Sequence, residues 1–158
     1  MQIQVNKAGE LELKTKSAAI VFNEAVRVNG IELEGAGEYE IGGISVEGID
    51  EGIYLFQLED IVVGSANFKG KISKEDLERL SSAEVLVVRL DGSISEAVEQ
   101  ANQTDPQIII YAGSPSARES VKASGVALEG DSSLKIVKSD LQNKRAYFIE
   151  VSNGKETA

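Results

Sequence analysis

The chain has 158 residues, a length typical of one domain with a substantial hydrophobic core. Its 16 basic and 26 acidic residues give a formal net charge of −10, which argues against nucleic acid or an anionic membrane surface as the main partner. The chain contains no cysteine and no histidine, which excludes disulfides, thiol chemistry and the usual ligands and general base of a zinc enzyme.

No segment of the sequence predicts export or membrane insertion. The first residues contain no basic stretch leading into an apolar one, so no signal peptide is predicted. No apolar run approaches the roughly 18 residues of a membrane span. We therefore expect a cytoplasmic protein with one domain over residues 1–152 and a frayed tail at residues 153–158.

The first half of the chain is predicted to form antiparallel strands. Asn29-Gly30 separates two alternating runs, which is typical of a two-residue hairpin turn. Residues 35–46 predict a glycine-rich turn that leads straight into a strand. The apolar run 18–22 predicts a strand buried on both faces. The strands predicted in this half cover residues 3–5, 11–13, 18–22, 25–28, 31–34, 53–56 and 61–63, together with a strand that leaves the glycine-rich turn and continues through Ile49.

The second half alternates between helices and buried strands. Ser73 and Ser93 each begin a capping pattern, and Ser114-Pro115 places a cap residue before a proline at the first helical position. Gly125 predicts the end of the third helix. Such repeats predict βαβ units with parallel strands, so we expect an α+β domain with two sheets. The strands predicted in this half cover residues 85–88, 108–111, 134–137 and 146–149.

Two glycine-containing segments are similar to nucleotide-binding motifs but do not match them. In residues 64–71, five residues separate the glycines where a phosphate loop has four, and Ile72 stands where that motif has serine or threonine. Gly35-Ala36-Gly37 lacks the third glycine of a dinucleotide fingerprint and precedes a strand instead of a helix. We interpret both segments as turns or loops, and no cofactor is predicted.

Few residues are candidates for catalysis or metal binding. Ser65, Ser93 and Ser114 end or follow predicted strands, but serine needs an adjacent base, and Ser93 and Ser114 are explained as helix caps. Ser132 and Lys135 have the Ser-x-x-Lys spacing, but their lysine lies in a predicted strand where that spacing requires a helix. A calcium or magnesium site remains a possible interpretation of the carboxylates in predicted turns, although none of them has the spacing of a calcium loop. These carboxylates are Asp50, Glu51, Glu59, Asp60 and Asp91.

Residues 35–46 resemble a recurring element of the metallo-β-lactamase superfamily, in which Gly-x-Gly-Glu-Tyr-Glu leads into a strand after the metal-binding region. The chain resembles in particular the compact metal-dependent hydrolases similar to ascorbate-6-phosphate lactonase. Residues 1–22 look like the first hairpin of that family, and residues 53–64 look like a strand pair that ends at a Gly-Asp metal position. Residues 73–90 and 94–111 look like its helix–strand repeats. The resemblance implies an αββα sandwich, here reduced in size.

The resemblance does not extend to the metal ligands of the family. Its His-x-His-x-Asp-His loop would fall within residues 23–34, where this chain has the Asn-Gly hairpin. Ser65 follows Gly64 where the family has a metal-bridging aspartate, and residues 112–114 end a strand where the family has a metal-binding histidine. The zinc-activated hydroxide of the family therefore has no ligands to hold its metal here.

These departures predict a non-catalytic binding or assembly module, with a second copy or another protein as partner. A rival interpretation is a metal-independent or carboxylate-site hydrolase or lyase that acts on a small phosphorylated or lactone substrate. A third is a small-ligand sensor that uses the shortened cleft. The remnant of the site mouth is expected near Glu38, Gly64, Ser65, Gly113 and Ser114.

Overall fold

The computed structural model describes residues 1–130 and 133–151, which form two β-sheets, three α-helices and a short 3₁₀ helix (Lys138–Gln142). The helices are α1 (Lys74–Leu80), α2 (Ile94–Thr104) and α3 (Pro115–Ala123). The strands are β1 (Gln2–Val5), β2 (Leu11–Lys14), β3 (Ala19–Phe22), β4 (Val26–Val28), β5 (Ile31–Glu32), β6 (Gly37–Ile41), β7 (Ile44–Asp50), β8 (Ile53–Leu58), β9 (Ile61–Ala66), β10 (Val85–Arg89), β11 (Ile108–Gly113), β12 (Glu129–Gly130), β13 (Ser133–Lys135) and β14 (Arg145–Glu150).

The first sheet is antiparallel throughout and has the strand order β13-β1-β2-β3-β4-β5. The turn between β4 and β5 consists of Asn29 and Gly30, whose φ angles are 49° and 83°. Positive φ at both positions is the geometry that favours Asn-Gly in a two-residue hairpin. The predicted hairpin is confirmed.

The second sheet is mixed and has the strand order β12-β14-β11-β10-β9-β8-β7-β6. Strands β6 to β9 form an antiparallel meander, whereas β9, β10, β11, β14 and β12 run parallel. Helices α1 and α2 connect successive parallel strands, and α3 lies in the connection from β11 to β14. The prediction of antiparallel strands followed by βαβ units is confirmed.

Two apolar layers hold these elements together. The first lies between the sheets, where Phe22 of β3 meets Phe56 of β8 edge to face with ring centroids 6.2 Å apart. The second lies between the second sheet and the helices, and it includes Phe68, Leu80 and Leu86. Each buried strand of the second sheet therefore presents alternate residues to two different layers.

In the described residues, helices cover only the second sheet. An αββα sandwich would place a helical layer outside each sheet, but helix contacts with strands involve β7, β8, β10 and β14 of the second sheet. Strand β3 is correspondingly half-exposed on one side: Ile20 and Phe22 are buried, while Ala19 and Val21 are partly exposed. The prediction that this strand is buried on both faces is wrong, because Ala19 and Val21 lie on the outer face of the sheet, where the helices of the described residues do not pack.

Several strand boundaries differ from those predicted, and two of the differences affect the predicted site. Instead of a turn leading into one strand, residues 35–46 contain a hairpin in which Gly42 and Gly43, at φ 59° and 81°, join β6 to β7. Two glycines adopt this turn without strain. Strand β9 continues beyond Val63 to Ala66, because its parallel pairing with β10 extends through Ser65 and Ala66.

The C-terminal region also differs in detail. Strand β13 ends at Lys135 rather than Val137, and the 3₁₀ helix that follows was not indicated by the periodicity of the sequence. The predicted tail at 153–158 and Ser132 of the Ser-x-x-Lys spacing lie outside the described residues. None of the helices in the described ranges has the length and apolarity that a membrane crossing requires.

Candidate functional site

Two adjoining cavities form a cleft at the carboxyl ends of β9, β10 and β11. One has a volume of about 600 Å³ and the other about 170 Å³, and Glu24, Asn67 and Lys69 line both. We call the smaller one the arginine cavity, because Arg89 lines it. We call the larger one the acidic cavity, because four glutamates line it: Glu24, Glu32, Glu34 and Glu51. The two together are the strand-end cleft.

The alternation of β10 brings Arg89 into this cleft. Val85 and Val87 belong to the layer between the sheets, whereas Leu86 and Val88 belong to the layer beneath the helices. With a period of two residues, Arg89 at the end of the strand lies on the side of Val85 and Val87. Its side chain therefore enters the space between the two sheets, at the point where the apolar layer ends.

Two nitrogen atoms of the Arg89 guanidinium, Nε and Nη2, are buried without being paired to any described residue, while the residue as a whole is partly exposed. Among the described residues, neither Nε nor Nη2 has a hydrogen-bond partner, and no carboxylate lies within 4.0 Å of the group. Burial lowers the pKa of Arg89 to about 10, and Coulomb interactions with the ionised form of Tyr54 and with Asp91 act in the opposite direction. The group is therefore still a cation at neutral pH, in a place where a cation is poorly compensated.

The N-terminus of α3 forms another wall of the arginine cavity. Gly113 and Ser114 both line it, and Ser114 is the N-cap of the helix, accepting a hydrogen bond from Ala117 N at 3.2 Å. Pro115 occupies the first helical position as predicted. The partial positive charge of a helix N-terminus therefore faces the same cavity as the guanidinium.

Lys69 and Asp91 lie at the rim of the arginine cavity. Their charged atoms are 3.9 Å apart, and the two side chains are 69% and 68% exposed. Asn67 packs against the backbone of Gly52, where a Cβ would lie 2.2 Å from Asn67 Oδ1. Lys69, Asp91 and Asn67 thus present a cation, a carboxylate and an amide at the rim.

The structure separates Ser65 and Gly64 from the cleft. Ser65 is fully buried within β9, opposite Tyr54 of β8 and Val87 of β10, and its Oγ has no partner among the described residues. Gly64 faces the helices, and a Cβ there would lie 2.8 Å from Cβ of Ala83. Both residues were expected at a strand end, and both are internal because β9 is longer than predicted.

Glu38 lies apart from the other predicted site residues. It is exposed on β6, at the edge of the second sheet, directly opposite Glu47 of β7. It lines a separate surface depression together with Ser82, near the end of α1. Of the five residues predicted for the site mouth, the structure therefore brings only Gly113 and Ser114 together in the strand-end cleft.

The glycine-rich segment has a structural explanation. The hydroxyl of Tyr54 accepts from Gly35 N at 3.0 Å and donates to Leu33 O at 3.3 Å, and that of Tyr39 lies 2.8 Å from Glu34 O. A Cβ on Gly48 would lie only 2.1 Å from Gly35 O. Glycine at position 48 thus permits the close backbone approach that holds the start of β6 in place.

The described residues offer little that would support covalent or metal chemistry. In residues 1–130 and 133–151, no group of three or more acidic side chains is arranged to hold a metal ion. Ser93 and Ser114 are helix caps as predicted, with Ser93 Oγ accepting from Glu96 N at 3.4 Å. The hydroxyl of Ser114 has Ser116 Oγ, rather than a base, 3.0 Å away.

Sequence reasoning missed Arg89, Asn67 and Lys69 as site residues. One signal was present for Arg89, because it is a single charged residue that closes the buried run 85–88. Ligands in sheets with parallel strands bind outside the carboxyl ends of the strands. A charge at that position is therefore a site candidate as soon as the strand is predicted to be parallel.

Comparisons with known proteins add no assignment: no protein-family model matches the chain, and neither the curated proteins nor the solved structures contain a significant match.

Proposed function

We propose that this chain is a reduced, non-catalytic relative of the metallo-β-lactamase-fold hydrolases, and that it binds a small molecule in the strand-end cleft. The order of elements supports the relationship: an antiparallel sheet, a glycine-rich segment entering a sheet, and then strand–helix repeats. Two packed sheets with helices outside the second are consistent with a sandwich of reduced size.

The position of the cleft is the observation that carries this proposal. The parallel strands β9, β10 and β11 have their carboxyl ends on the same side of the sheet, and the chain enters α3 there. Ligands in folds with parallel strands bind outside the carboxyl ends of the strands. A cavity of about 600 Å³ lies within the size range of small-molecule sites.

The geometry favours binding over turnover. A serine nucleophile needs a base within hydrogen-bond reach. In the described residues, Ser65 Oγ has no partner, and the partners of Ser114 Oγ are Ser116 Oγ and Ala117 N. The hydrolase alternative therefore lacks an activated group at either serine that was considered for it.

A cavity-filling variant tests the proposal. Ala25 lines the acidic cavity, and Ala25→Trp is expected to occupy part of it. We expect at least one compound of a metabolite library to raise the thermal midpoint of the wild-type protein but not that of Ala25→Trp. Ala123→Trp, at an exposed position near the end of α3, is the matched control and should respond like the wild type.

Two results would contradict the proposal. One is tight, stoichiometric binding of zinc or manganese at pH 7, measured by elemental analysis after dialysis. The other is turnover of a lactone, phosphoester or phosphorylated sugar that Ser65→Ala abolishes. The first result would show that a metal site is retained, and the second would assign the fold to an enzyme.

Assembly is the second candidate function, and the free edge of β5 favours it. Strand β5 ends the first sheet, and Ile31 on it is 54% exposed. An exposed strand edge with an apolar side chain is a template for pairing with another chain. A dimer in light scattering that Ile31→Lys disrupts would support this function. Val137→Lys, at a residue that is 44% exposed, is the control and should leave the dimer intact. A wild-type protein that is monomeric at all concentrations would contradict the assembly function.

A further inference from the structure

We propose that Arg89 anchors the anionic group, a carboxylate or a phosphate, of a small molecule in the strand-end cleft, an inference that rests on the proposed function. The anion would occupy the arginine cavity, between the guanidinium and the N-terminus of α3. The rest of the ligand would extend past Asn67 and Lys69 into the acidic cavity, since these residues line both cavities.

The state of the guanidinium is the first argument. Guanidinium donors form a planar fork that matches carboxylate and phosphate oxygens, often in pairs of parallel hydrogen bonds. Nε and Nη2, two atoms of that fork, are buried and have no partner in the described part of the chain. An arginine with a purely structural role would direct these donors at backbone carbonyls or at a carboxylate.

Charge compensation is the second argument. A buried charge is costly unless it is paired, and Arg89 keeps its proton at neutral pH. Asp91 is the carboxylate that raises the pKa of Arg89, but it is largely exposed and already lies 3.9 Å from Lys69. A bound oxyanion would supply the missing charge and accept from the unpartnered donors at the same time.

The surroundings of the cavity add two further features that suit an anion. Gly113 and Ser114 bring the N-terminus of the nine-residue helix α3 into its wall. A helix N-terminus carries partial positive charge. The ammonium group of Lys69 lies at the rim and is 69% exposed, so it is free to reorient toward a ligand.

The acidic cavity restricts the remainder of the ligand. Glu32, Glu34 and Glu51 line it, and Glu32 has a partner in Arg27 at 3.7 Å. Repulsion from these carboxylates disfavours a second anionic group far from Arg89. The ligand is therefore a molecule with one anionic end and a neutral or cationic body, rather than a polyphosphate.

The experiment compares inorganic phosphate and acetate with sodium chloride at equal ionic strength. We expect phosphate or acetate to raise the thermal midpoint of the wild-type protein more than chloride does. In ¹⁵N-labelled protein, the Nε–H resonance of Arg89 should shift during the same titration. The stronger of the two probes identifies the head group as phosphate or carboxylate.

Substitutions test whether Arg89 is responsible. Arg89→Met is expected to weaken the apparent affinity for the probe at least tenfold, and to raise the thermal midpoint in chloride, because it removes an unpaired buried charge. Arg79→Met is the matched control: Arg79 is exposed, pairs with Glu47 on another face, and should leave the response unchanged. If Arg89→Met does not fold, Arg89→Lys and the wild-type Nε–H titration decide instead.

The inference is overturned if phosphate and acetate act on the wild type no differently from chloride, or if Arg89→Met responds as the wild type does. Failure of the proposed function gives a different result. If the wild type binds an uncharged compound that Ala25→Trp excludes but does not respond to phosphate or acetate, the cleft is a binding site in which Arg89 has no such role. Stoichiometric zinc binding would remove both.

Discussion

Arg89 and Ala112 occupy the same rung of the parallel ladder between β10 and β11. Just beyond this rung, Leu90 N donates to Ala112 O at 3.0 Å, and β11 passes through Gly113 into α3. The guanidinium is thus positioned by backbone pairing beside a helix N-terminus, and not by a surface loop. A site built on paired strands holds its groups with little freedom to move, which favours binding.

Ser65→Ala should leave the free energy of unfolding unchanged or raise it by up to about 1 kcal/mol, because the variant removes a buried hydroxyl that has no partner. Urea denaturation at pH 7 measures the change. Ser114→Ala is the control, since its hydroxyl caps α3, and it should cost about 1 kcal/mol. A larger loss for Ser65→Ala than for Ser114→Ala would show that the buried hydroxyl has a stabilising partner.

Tyr111→Phe should reduce the sensitivity of the protein to alkaline pH. Burial raises the pKa of Tyr111 from 10.0 to about 12, so folding favours the neutral phenol. The contribution of this neutral phenol to the free energy of unfolding is complete below pH 10. About 2 to 3 kcal/mol is lost as the pH rises from 10 toward 12. In the variant, the free energy of unfolding should fall less steeply over this interval.

Tyr111→Phe and Tyr54→Phe together compare an unpartnered hydroxyl with a partnered one at pH 7. The hydroxyl of Tyr111 has no partner in the described residues, so Tyr111→Phe should not destabilise the protein. Tyr54→Phe removes the hydroxyl that contacts Gly35 N and Leu33 O and should cost about 1 kcal/mol or more. Equal losses in the two variants would contradict this assignment.

Gly48→Ala should destabilise the protein by about 2 kcal/mol or more, because the added Cβ would lie 2.1 Å from Gly35 O and a backbone atom cannot move aside cheaply. Gly70→Ala is the control, since nothing lies within 4 Å of its Cβ position, and it should change stability by less than about 0.5 kcal/mol. Chemical denaturation of the two variants gives the comparison. Similar stabilities would show that β6 can move away from β7.

Glu84→Gln should reduce the loss of stability in acid. A hydrogen bond from Val62 N, at 2.9 Å, and the partner Lys138, at 3.1 Å, lower the pKa of Glu84 below 4.5. The stability from this ionised carboxylate is complete above pH 4.5 and is lost as the pH falls through the lowered pKa. Because the side chain is partly exposed, the expected effect is about 1 kcal/mol or less.

Lys138→Met provides the graded control for this acid effect. The hydrogen bond from Val62 N is the largest cause of the lowered pKa and stays intact in that variant. Denaturation curves at pH 5.5 and 3.5 measure how much stability each protein loses in acid. Lys138→Met should therefore reduce this loss, relative to the wild type, by less than Glu84→Gln does. The reverse order would mean that the ion pair, and not the backbone donor, controls the carboxylate.

Local signals in the sequence determined much of the fold. The Asn29-Gly30 turn, the cap residues Ser93 and Ser114, and the helix end at Gly125, with φ of 92°, all lie where they were predicted. Each of these depends on the φ and ψ preferences or hydrogen bonds of a few neighbouring residues. The change from antiparallel strands to βαβ units was equally readable, since it follows from the period of apolar residues.

Only the tertiary structure decided where the cleft lies and which residues line it. Pairing with β10 extends β9 to Ala66 and thereby buries Ser65. In the same sheet, Arg89 lies at the carboxyl end of β10, where it lines the same cavity as Ser114. These residues are far apart in the chain, and no local preference states whether a strand ends at residue 63 or 66. Whether a charge is buried and paired depends on all the elements packed around it. The unpaired guanidinium of Arg89 could therefore be recognised only from the arrangement of both sheets and α3.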